Sequence, residues 1–380
     1  MQESTSIKSK KIKNIILKIL YSLISGATVF FITIYYATLI DSYIQDNSSF
    51  LLFAGMAVVF AILFISLMIH VIIHEIGHLI FGILTGYSFI SFRIGSNVIV
   101  KEEEKYKLKK HNLPGTAGQC LMLPPDMENG KYPFVLYNYG GVILNLIVTI
   151  ISIIVKMNVD FPLNIIFSAF SLAGFFTVLS NGIPLKIGGV PNDAYNILSM
   201  LKDEEAKKSF HLQLKTHALH SQGVRIKDLP LDHFILKEDV DLSNPLNTAI
   251  KLIEYNWYLD NLDMENAKKS LDSLKPFMSK IASLYKYEIN CERIFLELIG
   301  NCDKKLIDSL YDKNLKKYVK GSKFMVSKKR LLMAYEAFYN ENKDLAIKHY
   351  EELKDLANNY PIKGEADMEL MLANWISERL

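Results

Sequence analysis

Residues 50–84 read FLLFAGMAVVFAILFISLMIHVIIHEIGHLIFGIL, and this stretch decides how the rest of the chain is read. From Phe50 to Ile73 the only ionisable side chain is His70, and after His78 the run stays apolar through Leu84. An apolar helix of about 20 residues crosses ~30 Å of hydrocarbon. The run therefore predicts a membrane helix with length to spare, which either tilts or bends its C-terminal part into the protein. Inside it lies His74-Glu75-Ile76-Gly77-His78, an H-E-x-x-H pentad. Two histidines four residues apart share one helix face and can grip one metal ion. Burying two imidazoles and a carboxylate in apolar surroundings is costly unless all three are satisfied. The pentad points to zinc hydrolase chemistry within or against a bilayer. The bland alternative is a chance match, with the histidines hydrogen-bonded to neighbouring helices.

Working outward, three further apolar runs cover about 14–40, 134–157 and 161–185. The first carries only Lys18 as a charge, is too long for a signal-peptide core and has no convincing cleavage site, so it is expected to persist as a membrane helix. Phe134–Val155 and Phe161–Leu185 contain no Asp, Glu, Lys or Arg. Four spans are expected. Basic residues favour the cytosolic side of a membrane. Lys8, Lys10, Lys11 and Lys13 precede the first span, whereas the 41–49 loop has only Asp41 and Asp46. The 87–133 segment has Arg93, Lys101, Lys105, Lys107, Lys109, Lys110 and Lys131, and the short 158–160 turn has only Lys156 beside it. The expectation is a multi-pass cell-membrane protein with both termini cytosolic and His74 and His78 toward the cytosolic side of the second span.

Ser88 to Val100 alternates apolar and polar residues around Gly95-Ser96-Asn97, which predicts a β-hairpin near the membrane surface. Lys101–Lys110 reads as a solvated turn or strand end, with His111 exposed beyond it. Gly115-Thr116-Ala117-Gly118 and Pro124-Pro125 predict irregular structure.

A catalytic zinc typically has three protein ligands and a water. The pentad supplies two, so a third must come from elsewhere. At the end of the fourth run the chain reads Asn181-Gly182-Ile183-Pro184-Leu185-Lys186-Ile187-Gly188-Gly189-Val190-Pro191-Asn192-Asp193, and Asp193 is the only acid between Asp160 and Asp203. The Gly/Pro-rich stretch breaks the helix and can fold Asp193 back toward the histidines. A helix N-cap is the competing role, because Asn192 or Asp193 precedes the helical pattern Ala194–Met200. Glu75 adjoins a ligand but points off the histidine face, as suits a general base. His70, one turn before His74, reads as an interhelical histidine.

These elements resemble the site-2 protease family of intramembrane zinc metalloproteases. The family's H-E-x-x-H is matched by His74, Glu75 and His78, and its G-x-x-x-N element by Gly141-Val142-Ile143-Leu144-Asn145. Its N-x-x-P segment leading to a ligand Asp is matched by Asn181, Pro184 and Asp193. The resemblance covers about residues 50–200. Asp193 departs from the pattern in being followed by Ala194 rather than Gly and in lying twelve residues after Asn181. The resemblance implies an endopeptidase that cuts a membrane-bound protein or peptide, with Asn145 helping to hold substrate or oxyanion. An Asn that merely bonds between helices is the alternative. It also implies an extended substrate, for which the 88–100 hairpin offers an edge.

The remainder of the 380-residue chain is mixed and charged. Residues 201–243 read as a connector, helical over Asp203–Leu219. From about Asn244 the pattern is helix after helix, with hairpins around Tyr255, Tyr258, Ala267, Leu271 and Pro276 and around Tyr335, Ala337, Ala346, Tyr350 and Pro361. This weakly resembles tetratricopeptide-type repeats. The expected organisation is 1–49 N-terminal helix and external loop, 50–200 zinc core, 201–243 connector, and 244–380 a soluble all-α domain that receives a cytosolic protein partner. The fold class is mostly α: a membrane helix bundle with a small β-hairpin, then the helical domain. A net charge of +3 is too small to argue for nucleic acid, and Cys120, Cys291 and Cys302 suit a reducing compartment. The rival function is a non-catalytic membrane scaffold or adaptor that retains a metal site. The intact Glu75 argues against it, because a structural site needs no free carboxylate between its ligands.

Overall fold

The computed structural model describes residues 32–42, 49–102, 105–111, 116–187 and 190–380. Its contacts divide the chain into two units, one of residues up to 69 with 148–174 and one of 70–147 with 175–380.

Among the described residues, the elements of the first unit are all helices. Residues 32–41 are helical (α1), and they are followed by the first part of α2, Ser49–Leu84. The unit also takes the C-terminal part of α3, Phe134–Lys156, and the N-terminal part of α4, Leu163–Gly182. Tyr36 and Ile40 of α1 pack with Val59 of α2 and with Ile165 and Ala169 of α4. The few polar side chains answer one another: Tyr36 Oη donates to Ser168 Oγ at 3.3 Å and Ser171 Oγ to Ser152 Oγ at 3.0 Å. Outward residues are large and apolar, such as Phe53 at 74% exposure and Phe64 at 62%. Such a surface suits lipid, not water.

Three helices, Phe50–Leu84, Phe134–Lys156 and Leu163–Gly182, are long and apolar enough to cross a membrane. The expected first span lies mostly on residues 14–31, outside the described residues, as do the lysines before it. The second run is one continuous helix of 36 residues, roughly 54 Å long at 1.5 Å per residue.

The second unit carries a four-stranded antiparallel sheet of order β3-β2-β1-β4. The strands are β1 Ser88–Ile94, β2 Asn97–Glu102, β3 Lys105–Lys110 and β4 Gly118–Leu123. The expected hairpin is β1–β2: Ile94 pairs with Asn97, and Gly95 takes φ +57° at the first position of the two-residue turn. Two further strands were not legible. The lysine-rich 105–110 segment pairs along β2, and Gly118–Leu123 pairs along β1. β1 is therefore covered on both sides, and the hairpin has no free edge there.

Register places Ser91, Arg93, Val98, Val100, Gln119 and Leu121 on one sheet face and Phe92, Ile99 and Cys120 on the other. The latter face meets the helices: Tyr137 of α3 donates its hydroxyl to Cys120 O at 3.0 Å, and a Cβ on Gly82 of α2 would stand 2.4 Å from Met122 Sδ.

After α4, Lys186–Ile187 (β5) pairs with Val190–Pro191 (β6). Then come α5 Asp193–Lys202 and α6 Glu204–Ser221. The expected connector is more than a link: Ala206, Phe210, Leu214 and Ala218 of α6 share a buried cluster with Tyr87, Ile90, Met122 and Leu246. The remaining helices are α7 Pro245–Asp260, α8 Met264–Asp272, α9 Ser283–Ile299, α10 Lys304–Leu310, α11 Lys313–Gly321, α12 Val326–Ala334, α13 Lys343–Asn358 and α14 Lys363–Ser377. Asn244, Asp263, Asp303, Asp312 and Asn342 cap five of them with side-chain oxygens. The residues of the expected hairpins, Tyr255, Ala267, Leu271 and Ala346, are buried in the core of these helices. Arg330 is fully buried between Glu292 and Glu369, at 2.8 and 2.5 Å.

The helices close on the sheet. Lys109 Nζ bonds Tyr360 O at 3.1 Å, and Glu102 is reached by Lys109 at 2.6 Å and Lys363 at 3.4 Å. His111, expected to be exposed, is buried, because the Tyr360 ring packs against it.

Candidate metal centre

The site lies within the second unit, and α2 supplies its base. His74 Nε2 and His78 Nε2 are 3.1 Å apart, as i and i+4 on one face allow. Asp193 Oδ2 stands 2.9 Å from the former and 3.5 Å from the latter. Two atoms each ~2.0–2.1 Å from one tetrahedral ion stand roughly 3.3 Å apart, so these three atoms fit a single metal ion. Among the described residues they form the one His/Cys/Asp/Glu group close enough to hold a metal.

Asp193 reaches the histidines because Asn192 does the capping. Asn192 Oδ1 accepts from Tyr195 N at 2.9 Å and Leu185 N at 3.1 Å, while Nδ2 donates to Ser180 O and Ile183 O, both at 2.6 Å. One buried amide thus satisfies the start of α5 and ties down the Gly/Pro-rich stretch after α4. Asp193, the first residue of α5, turns its carboxylate to the imidazoles instead. Burial alone would raise this carboxyl, but facing His78 and His74 hold it well below the usual carboxylate range.

The backs of the imidazoles are held as well. His78 Nδ1 donates to Tyr137 O at 2.7 Å. Asn145 of α3, fully buried, lies with Nδ2 3.4 Å from His74 Nδ1 and Oδ1 2.9 Å from His70 Nδ1. A His74 that binds through Nε2 carries its proton on Nδ1. The amide orientation that accepts this proton turns Oδ1 to His74 and Nδ2 to His70. Such outer partners fix tautomer and ring orientation at metal sites. Asn145 sits behind a ligand, on the side away from the converging Nε2 atoms.

Three glycines make the contact of α2 with α3 close enough. A Cβ on Gly77 would fall 2.3 Å from Gly140 O, and one on Gly141 would fall 2.5 Å from His74 Nδ1. The small residues of the pentad and of the G-x-x-x-N element are thus the places where two helix backbones meet.

Glu75 is 8% exposed and lies off the ligand face, against β4. The Cys120 backbone N–H donates to its carboxylate, and a Cβ on Gly118 would stand 2.8 Å from Oε1. The strand beside this carboxylate is β4, not the 88–100 hairpin. His74, Glu75, His78 and Asp193 are brought together as expected. Asn192 takes the cap for which it was one of two candidates, whereas its hold on Ser180 and Ile183, the Tyr137 carbonyl and the β4 segment were not foreseen. The only advance signal for Asn192 was its place before a helical pattern.

No family model, curated protein or solved structure matches the chain.

Proposed function

We propose that the protein is a zinc-dependent intramembrane endopeptidase that cleaves a membrane-bound protein or peptide near the cytosolic face. The observation that carries this reading is a buried carboxylate, Glu75, that lies on a helix apolar enough to cross a bilayer, off the ligand face and beside three converging ligand atoms. His74, His78 and Asp193 would hold the zinc. A zinc ion there would supply Lewis acidity and a bound water whose pKa is lowered from ~15.7 toward ~7. Glu75 takes the water proton and returns it to the leaving amine. Asn145, through His74 Nδ1, keeps that ring aimed, a positioning role in place of the oxyanion role that the family resemblance implies. Gly118 leaves room for Glu75 and for an extended substrate segment beside β4. Four spans, cytosolic termini and a cytosolic partner for the C-terminal helices complete the proposal.

The test uses the full chain purified in lipid nanodiscs, with metal content measured alongside cleavage of a quenched-fluorescent library of single-span apolar peptides. Glu75→Gln should retain the metal and abolish cleavage. Cleavage at the wild-type rate by that variant would sink the mechanism, and the scaffold reading would gain if no wild-type cleavage accompanied full zinc loading.

A further inference from the structure

Between the sheet and the C-terminal helices lies a cavity of about 290 Å³, wholly inside the second unit. It is separate from the metal centre. Its sheet wall is Arg93, Val98, Val100 and Leu121, on the face opposite Cys120. Its helical wall includes Leu252, Ile253 and Met368 with Glu288, Glu292, Glu365 and Glu369. The size is at the lower end of small-molecule sites.

Arg93 and Glu365 face this space, and among the described residues neither makes an ion pair, although Glu75 and Lys328 lie within electrostatic reach of them. Arg93 is only 2% exposed. Its two terminal nitrogens donate to Gly95 O, Thr116 Oγ1 and Gly118 O, all uncharged, and its Nε has no partner. A buried guanidinium normally finds a carboxylate. On the other wall, Lys328 answers Glu288 at 2.7 Å, and Arg330 answers both Glu292 and Glu369. Glu365 is left over: it is half-buried and bonded only to the Tyr360 hydroxyl at 3.3 Å. Burial and neighbouring Glu369 push its carboxyl up to about 8, against the downward pull of nearby Lys328. Both groups line one cavity, with apolar side chains contributed by each wall and with His111, His217 and His220 also lining it.

We infer that this cavity binds a small zwitterion with an aliphatic body, its carboxylate on Arg93 and its amine on Glu365. A free aliphatic amino acid and a short aliphatic peptide share this chemistry. Both ends are needed, since the carboxylate answers the open Nε of Arg93 and the ammonium favours the ionised form of Glu365. The cavity also communicates with the metal centre. Arg93 holds the Thr116–Gly118 segment, and Gly118 packs on Glu75. A ligand on Nε therefore bears on the strand that lines the catalytic carboxylate. The inference stands on the cavity's own groups and does not need the protein to be a protease.

The test is binding to the full chain in detergent by calorimetry, with L-leucine, dileucine, 4-methylpentanoate and isopentylamine as probes. L-leucine or dileucine should bind, the tighter of the two identifying the source. Each single-ended analogue should bind at least about tenfold more weakly, a factor equal to ~1.4 kcal/mol. Glu365→Gln, an isosteric change on a half-buried side chain, should cost the zwitterion about tenfold and leave 4-methylpentanoate unaffected. Hydrogen exchange at 116–121 should slow when the zwitterion is bound. Absence of zwitterion binding, equal binding of the single-ended probes, or an unchanged affinity in Glu365→Gln would each overturn the inference. None of these readouts depends on cleavage, so failure here and failure of the protease reading are separable.

Discussion

His74 Nε2 lies 2.9 Å from Asp193 Oδ2, although 119 residues separate them in the chain. That contact joins the helix of the pentad to the break after α4, and with His78 it makes one ligand set. In a site so made, loss of the carboxylate should be felt as loss of metal, because two imidazoles alone bind far less well than three converging ligands. Asp193→Ala should lower metal content severely in protein purified and dialysed against weak chelator, with helix content unchanged. Full occupancy in this variant, measured by elemental analysis, would remove Asp193 from the ligand set.

Asn192 offers a sharper test of the fold's part in the site. Asn192→Ala keeps every ligand but unties Leu185, Ser180, Ile183 and the start of α5. Lost outer support of this kind costs metal affinity about 10–100-fold, and loss of the cap costs about 1 kcal/mol. Zinc titration against a competing chelator is the measurement. An affinity equal to wild type would mean that the Gly/Pro-rich stretch holds its shape without this amide.

The contact between sheet and C-terminal helices should be acid-labile. Burial and nearby Arg93 lower His111 to about 4, and burial and nearby His217 lower His220 to about 4. Unfolded histidine titrates near ~6.5. Below that pH the unfolded chain takes up protons that the folded chain refuses. The contribution of these two histidines is therefore complete above about 6.5, falls as pH drops toward about 4, and levels below it, by up to ~3 kcal/mol for each group, while the raised Glu365 carboxyl contributes in the opposite direction as pH falls from about 8. Thermal unfolding followed at pH 7.5, 6 and 5 should show wild type losing more stability with acid than His111→Gln. An identical pH dependence in the two proteins would show that His111 is not buried in solution.

Topology can be read directly. Reporter fusions after Asn47 and Asp160 should report the external side, and fusions after Lys110 and at Leu380 the cytosol. The lysines flanking the apolar runs motivate this orientation. A cytosolic signal at Asn47 would overturn the four-span arrangement.

Local pattern alone was enough for much of this protein. An apolar run declares a membrane-length helix, an i, i+4 histidine pair declares a shared face, and Gly95-Ser96 between alternating residues declares a hairpin. Those features depend on neighbours a few residues away, so the sequence contains their cause. The lone acid after the fourth run even nominated Asp193. What the tertiary structure decided depends on partners far along the chain. Gly118–Leu123 has no polar–apolar alternation and becomes β4 only by pairing with β1. Whether Asn192 or Asp193 would cap α5 was undecided until the carbonyls of Ser180 and Ile183 were in place around Asn192. Asn145 faces the back of His74 because glycines 77, 140 and 141 let two backbones touch. His111 is buried by residues near 360, and Arg93 and Glu365 meet one cavity from opposite walls. Spacing along a chain sets local geometry, but which distant polar groups end up buried together is settled only when the elements pack.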